Sequence, residues 1–323
     1  MEIANLKFPN PVVLAPMAGV TDLVFRKLCK KMGAALTTTE MISAKGLYYT
    51  NQQTLKIADV SEEGKTSIQL FGGDVESLVR AVHIVNEIGP DLIDFNMGCP
   101  ATKIIKNKEG SALMTEPQKV EEILRAMVKE ATVPVTVKIR LGWDDQNKNY
   151  LEVAKRAEQA GVAAIALHAR TRQQFYSGEA DWQAIAQLKR EIKIPVIGNG
   201  DIWSAQDAID MMEQTKCDGL MIGRGVMGNP WLVRDLVTLL AGEKLEEKPS
   251  LEEIIGTITE HLDDLIEYKG EYIAIREMRK HAAWYLKGQP KASQVRVLLN
   301  TAETKSQMEE ILWAYLDNQN TFH

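Results

Sequence analysis

Cys99 stands between Gly98 and Pro100 at the end of the run Asp94-Phe95-Asn96-Met97-Gly98-Cys99-Pro100. Glycine permits a sharp turn and proline cannot continue a strand ladder, so the thiol falls outside regular structure, where it can deliver a proton to a carbon. The opposing reading is the inert, buried thiol that a single cysteine usually is. Cys29 fits that description, lying among Leu23, Phe25, Leu28 and Met32 at helical spacing. Other polar side chains occur where apolar strands should run or end: Gln69 in 66–70, Lys138 in 135–139 and His168 at the close of 164–168. A buried strand does not hold an unpaired ammonium, so Lys138 needs either a carboxylate at a rim or negative charge on a bound ring. His168 reads as a hydrogen-bonded histidine at a strand end or as a donor to a ligand. Gly198-Asn199-Gly200-Asp201 and Gly223-Arg224-Gly225 are plain tight turns when each is taken alone.

The elements that must position these residues alternate from Pro11 onward: β-rich runs, then helical patterns of roughly 10 to 15 residues. The runs are 12–15, 35–39, 66–70, 92–95, 135–139, 164–168, 195–197 and 219–222, with helices expected over 22–33, 75–88, 118–129, 150–160, 181–192 and 204–214. Residues 42–61 read as a long loop with a short helix, and 96–115 as a glycine-punctuated excursion. This rhythm predicts an α/β fold, a TIM (β/α)8 barrel over 1–240, rather than a doubly wound sheet. Residues 241–249 form a charged linker, and 250–323 show only helical periodicity, as in Leu251, Ile254, Ile255, Ile258, Leu262, Leu265 and Ile266. A small C-terminal all-helical domain is expected there.

In a TIM barrel the active site forms at the carboxyl ends of the strands. Pro16, Met17, Ala18, Gln69, Asn96, Cys99, Lys138, His168, Asn199, Gly200, Asp201, Gly223 and Arg224 should therefore converge. Glycine-rich loops after strands seven and eight are where this fold commonly binds phosphate, which favours a cradle over plain turns, with Arg224 as its clamp. Gln69, Lys138 and His168 are donors suited to the N1, C2 carbonyl and N3 edge of a flavin, and ring plus phosphate point to FMN. Asn96, with two donors and one acceptor on a short stem, suits a pyrimidine edge.

The net charge of −6 excludes a protein that coats nucleic acid by its overall charge, and 45% hydrophobic content over 323 residues excludes a disordered chain. Three scattered cysteines without a CxxC pair make no disulfide framework and no metal cradle, so no metal is expected. Residues 1–8 lack the pattern of a leader, and the apolar run 162–167 is too short to cross a bilayer. A soluble, cytoplasmic monomer is the expectation. Local positive charge gathers at Arg276, Arg279, Lys280, Lys287, Lys291 and Arg296, and beside Cys99 at Lys103, Lys106 and Lys108. Such a segment is either a phosphate-binding patch or a solvated helix face.

Nearly the whole chain resembles the tRNA-dihydrouridine synthases. The matching stretches are Leu14 to Asp22, Gln69-Leu70-Phe71-Gly72, Asp94 to Pro100, Val137 to Trp143, His168-Ala169-Arg170-Thr171, Gly198 to Ile202 and Met221 to Gly225. The DFNMGCP and HxRT segments are specific, whereas APM and GNGD are shared more widely among flavin barrels. The resemblance implies an FMN enzyme that uses NADPH to reduce the C5–C6 double bond of selected uridines in tRNA. Motif by motif, it implies that Pro16, Met17, Ala18, Gln69, Lys138, His168, Asn199, Gly200, Asp201, Gly223 and Arg224 hold FMN. NADPH would reduce the flavin and leave, hydride would pass from N5 to C6, and Cys99 would protonate C5. A uridine in tRNA must leave its stack to reach a flavin, so a pocket and a basic surface are needed. Asn96 is expected to read the base, and Lys103, Arg170, Arg276, Arg279, Lys280 and Lys287 to contact the tRNA. The nearest rival is a flavin barrel acting on a free pyrimidine, like the dihydroorotate dehydrogenases, for which the basic helical segment has no use. Another is a silent tRNA-binding protein that keeps FMN for structure, against which Cys99, Lys138 and His168 speak.

Overall fold

The computed structural model describes residues 1–49, 52–61 and 64–320. Residues 50 and 51 of the expected 42–61 loop, and the last three residues of the expected helical domain, lie outside them. Eight parallel strands form the barrel: β1 (Val12–Leu14), β2 (Leu36–Thr38), β3 (Thr66–Phe71), β4 (Leu92–Met97), β5 (Val135–Arg140), β6 (Ala164–His168), β7 (Val196–Asn199) and β8 (Gly219–Ile222). Each pairs with its neighbours in chain order, and Leu220 opposite Val12 closes the ring. The ring helices are α1 (Leu23–Lys31), α2 (Val75–Ile88), α3 (Pro117–Glu130), α4 (Tyr150–Gln159), α5 (Trp182–Glu191), α6 (Ala205–Thr215) and α7 (Trp231–Leu240).

Both faces of each strand are buried, which is why the runs read as continuously apolar rather than alternating. Outward-facing Ile68, Ile93, Phe95, Val137, Ile139, Ile165 and Leu167 pack under the helices, while Val13, Leu36, Ala164, Ala166, Ile197 and Met221 fill the interior. A short hairpin, Glu2–Ile3 with Leu6–Lys7, adds Ile3 and Phe8 to that interior cluster. The sequence reading has no hairpin there, because two-residue strands carry no measurable period. Caps follow the expected chemistry. The Asp74 carboxylate accepts from Ser77 N at 2.9 Å at the start of α2, and Ser204 with Asp207 makes a capping box on α6.

Between Leu240 and Leu251 there is neither helix nor strand. Four helices follow: α8 (Leu251–Lys269), α9 (Glu271–Tyr285), α10 (Ala292–Leu299) and α11 (Lys305–Asn320). Their core, including Ile255, Ile258, Leu262, Ile275, Met278 and Leu312, takes in Val24 and Trp231 from the barrel. Polar ties add to that seam: Lys269 reaches Asp22 and Glu277, each at 2.6 Å, and Lys280 Nζ donates to Gly19 O at 2.5 Å. No helix among the described residues is long and apolar enough to cross a membrane.

Candidate active site

The carboxyl ends of the strands open into one cleft. Its outer part, about 510 Å³, is lined by Pro16, Met17, Ala18, Gln69, Asn96, Cys99, Lys138, His168 and Arg224. Its inner part adds Asn199, Gly200, Asp201 and Gly223. The strand ends thus converge as a barrel requires, and α9 contributes Lys280 and Trp284 to the same wall.

A chain of buried hydrogen bonds rises through the barrel and fixes the turn that carries Cys99. Asp94 accepts from Gln69 Nε2 and from Thr136 Oγ1, both at 2.6 Å. Gln69 Oε1 accepts from Asn96 Nδ2 at 2.8 Å, and Asn96 Oδ1 accepts from Gly98 N at 3.1 Å and Cys99 N at 2.9 Å. The Cys99 carbonyl is held by Ser111, through N at 3.0 Å and Oγ at 2.9 Å. Arg140 locks the far side: Nε donates to Gly98 O at 2.8 Å, and Nη1 to Thr171 O and Phe175 O at 2.9 and 2.7 Å. The thiol is half-buried, unlike buried Cys29 and Cys217. Burial pushes its pKa above the ordinary thiol range, although Ala101 N–H, Arg140 and Lys138 pull it back, so it is protonated at neutral pH.

Lys138 lies two residues before Arg140 on the same inward face of β5. Burial first, then Arg140, lowers its ammonium to about 8, against the pull of Asp94 and Cys99. Asp94 is already engaged with Gln69 and Thr136, so Lys138 faces the cleft as a cation. His168 is held well below its ordinary pKa by burial and by Lys138, Arg140, Arg170 and Arg224, which keeps it neutral. Arg170 Nη1 stands 3.5 Å from its Nε2, and a guanidinium can only donate, so Nδ1 carries the ring proton.

The corner beyond β7 and β8 holds Arg224 between two aromatic rings, 4.5 Å from the centroid of Tyr176 and 5.0 Å from that of Trp203. Gly200 sits at φ +130°, with Ala180 where a side chain would be, and Asp201 follows at φ +55°. The Asp201 carboxylate is taken by Arg170 Nη2 at 2.8 and 2.7 Å and by Ala180 N at 2.7 Å. The charge of this acidic group beside the glycine-rich corner is thereby offset, with Arg224 Nη2 also 3.7 Å from Oδ1. Glycine-rich backbone, a stacked guanidinium, an ammonium and a neutral imidazole make a donor set that fits a phosphate at one end and an electron-rich ring at the other. FMN is such a molecule.

A family model described as dihydrouridine synthase matches residues 13–320. The chain belongs to that family. Dihydrouridine synthases are FMN-dependent oxidoreductases. The chain is 43% identical over 289 residues to tRNA-dihydrouridine synthase B of Pasteurella multocida, covering 89% of this chain and 87% of that protein. It is 42% identical over 320 residues to tRNA-dihydrouridine synthase B of Vibrio parahaemolyticus, covering 98% and 99%. A probable tRNA-dihydrouridine synthase of Rickettsia bellii matches at 39% over 302 residues, 93% of each chain. Among solved structures, histamine dehydrogenase from Rhizobium sp. 4-9 superposes with a TM-score of 0.54 at 14% identity, over 81% of this chain and half of that one, a likeness of fold alone.

Several expected contacts take different positions in this chain. Arg170 is 1% exposed, and its guanidinium also reaches Ser177 O at 3.1 Å and Gly178 O at 2.6 Å, so it is a strut beneath the cleft rather than a tRNA contact. Arg279 donates twice to Ala302 O, at 3.0 and 2.6 Å, strapping α9 to the segment before α11. Asn96 belongs to β4 itself and has both ends of its amide engaged by the chain. Lys103, Arg276, Lys280 and Lys287 are exposed. Arg140, Tyr176, Trp203 and Trp284 carry no role in the sequence reading. A period of two from Lys138 marks Arg140, and a step of four from Lys280 marks Trp284, but Tyr176 and Trp203 stand in loops with no period to follow.

Proposed function

We propose that this chain reduces the C5–C6 double bond of uridines in tRNA, with FMN in the cleft and NADPH as the electron source. One observation carries the reading: a protonated, half-buried thiol at Cys99 shares a cleft with the cations and glycine-rich loops that suit a flavin phosphate and ring. Pro16, Met17, Ala18, Gln69, Lys138, His168, Asn199, Gly200, Asp201, Gly223 and Arg224 would hold FMN, Asp201 through its backbone. Bound there, the flavin supplies the hydride that C6 of the base accepts.

Cys99 supplies the matching proton. Its S–H bond breaks as a C–H bond forms at C5, leaving a thiolate that Arg140, Lys138 and the Ala101 N–H stabilise until solvent returns the proton. The hydrogen-bonded chain from Asp94 to Cys99 N holds the thiol in place through that cycle, and Arg140 keeps the turn from opening. Asn96 acts chiefly by shaping the turn. Exposed Lys103, Arg276, Lys280 and Lys287 attract the RNA backbone, Lys280 at the lip of the cleft itself.

The test uses purified protein, NADPH and tRNA from a strain lacking the enzyme, with dihydrouridine mapped by mass. The expected result is a yellow protein that forms dihydrouridine. Cys99→Ala should keep FMN and its reduction by NADPH while losing most turnover. A protein that cannot bind FMN, or one that reduces free uracil and leaves tRNA untouched, would overturn the reading.

A further inference from the structure

On the β5 side of the barrel mouth an open pocket of about 540 Å³ lies apart from the flavin cleft, lined by Thr115, Trp143, Gln146, Asn147, Lys148 and Asn149. Two successive loops line it and a third backs its indole. Thr115 ends the 3-10 turn that follows Cys99, residues 143–149 follow β5, and Arg172, after β6, lays its guanidinium 4.6 Å from the centroid of the Trp143 ring. The middle loop is wound around Asp144, whose Oδ1 accepts from Gln146 N at 3.0 Å and from Asn147 N and Nδ2 at 2.9 and 2.7 Å. It is also tied on both sides: Asn149 Nδ2 donates to Met114 O at 2.6 Å, and Arg172 N and Gln173 N donate to Gly142 O and Trp143 O at 2.9 and 3.0 Å. The pocket is therefore preformed.

Its chemistry suits a nucleotide. An indole stacked with a guanidinium offers a flat, cationic face that any base can share. Lys148 is paired with Asp145 at 3.2 Å, whereas the Arg172 Nε is buried with no hydrogen-bond partner among the described residues. The Gln146 amide is exposed, and among the described residues the Asn147 and Asn149 amides bond through Nδ2, leaving oxygens for a base edge. Placement adds the decisive point. In the ring of eight, β5 lies across from β1, and the helical domain sits on the β1 side, with Lys280 on Gly19 and Lys269 on Asp22. The Trp143 pocket and Lys280 thus flank the cleft from opposite rims. A strand that inserts one base at Cys99 and runs over both would be held on either side of the cleft.

We infer that this pocket takes a second unpaired nucleotide of the same RNA, stacked on the Trp143–Arg172 pair, and that the two anchored bases together select which uridine reaches Cys99. The inference rests on the tRNA reading above. It is tested on FMN-loaded wild-type, Trp143→Ala, Trp143→Phe and Gln146→Glu proteins, with kcat and KM for tRNA, flavin reduction by NADPH and a chemical footprint of the bound tRNA. Trp143→Ala should raise KM on the order of tenfold or more with little change in kcat, and Trp143→Phe should restore most of the loss. Gln146→Glu, which leaves the stack intact, should raise KM by repelling the backbone. Flavin reduction should match wild type throughout, and one unpaired nucleotide away from the target should lose protection in Trp143→Ala. Wild-type KM and an unchanged footprint in both Trp143→Ala and Gln146→Glu would sink the pocket. A wild-type enzyme that forms no dihydrouridine would sink the functional reading instead, and the footprint would still decide the pocket.

Discussion

Two cations near the cleft, Lys138 and Arg170, illustrate how differently a positive side chain can be used. Lys138 is lowered to about 8 by burial and Arg140, so it carries charge at neutral pH and loses it as pH rises through that value. The affinity of apoprotein for FMN should therefore decline as pH rises through about 8, a window in which the phosphate, with its second pKa near 6, is already a dianion. Titration by flavin fluorescence checks this: Lys138→Met should be weak and flat across the window, and Lys138→Arg should hold affinity to higher pH. A wild-type profile in Lys138→Met would contradict the assignment. Arg170 is buried and holds both Asp201 oxygens through Nη2, and removing it leaves that carboxylate to the Ala180 N–H and to Arg224 at 3.7 Å. Arg170→Ala should cost roughly 2 kcal/mol or more of stability by denaturant unfolding and weaken FMN binding, because the Asp201 carboxylate then competes for Arg224.

At the scale of elements, the decisive features are turns that only particular residues allow. Gly98 and Cys99 turn where Asn96, still within β4, bonds their N–H groups. The barrel also receives α9 at a glycine. Gly228 has φ +72°, and a side chain there would collide with the Trp284 backbone. Gly228→Ala should lower the thermal midpoint through a loss of roughly 2 kcal/mol or more, since both the backbone angle and the packing oppose it. It should also raise KM for tRNA by shifting Lys280 and Trp284 on the cleft wall. A variant as stable as wild type would show that the close approach does not hold α9. The ring helices other than α7 were readable because their burial is periodic, and the strands because they are short, largely apolar runs buried on both faces. The turn at Cys99 was readable from Gly98 and Pro100, but its support by Gln69 and Arg140 was not, since those residues lie 30 or more positions away.

At the scale of the whole molecule, barrel and helical domain meet over two histidines that the proposed chemistry does not use. His261 and His281 are buried, their ring centroids 5.1 Å apart, and Phe25 of α1 packs 5.8 and 5.9 Å from them. Burial lowers His261 to about 4 and His281 to about 3, from an ordinary value of 6.5. The unfolded chain takes up protons near 6.5 that the folded seam refuses. Their contribution is therefore complete above 6.5 and is lost as pH falls from 6.5 toward 4 and 3. Calorimetry from pH 7 to pH 5 should show a falling midpoint, and His281→Leu should flatten that fall. A midpoint independent of pH in wild type would refute the argument. Exposed Lys103, Arg276, Lys280 and Lys287 act at the same scale, and tRNA affinity should drop steeply with salt although the chain is acidic overall.

The sequence by itself determined the barrel, the helical C-terminal region and the set of strand ends that meet in the cleft. Those properties follow from local apolar patterning, continuous in the strands and periodic in the helices, and from a topology that brings every β carboxyl end to one face. Only the tertiary structure decided what each polar side chain touches. Arg170 and Arg279 look like surface cations in the sequence but turn inward, whereas Lys280 reaches the lip of the cleft. Charge and position in the chain are the same information for all three. What separates them is the partner that folding brings from elsewhere, Asp201 for Arg170, Ala302 O for Arg279 and Gly19 O for Lys280. A buried cation is tolerated only where such partners replace water, and partners distant in the chain become neighbours only when the barrel closes.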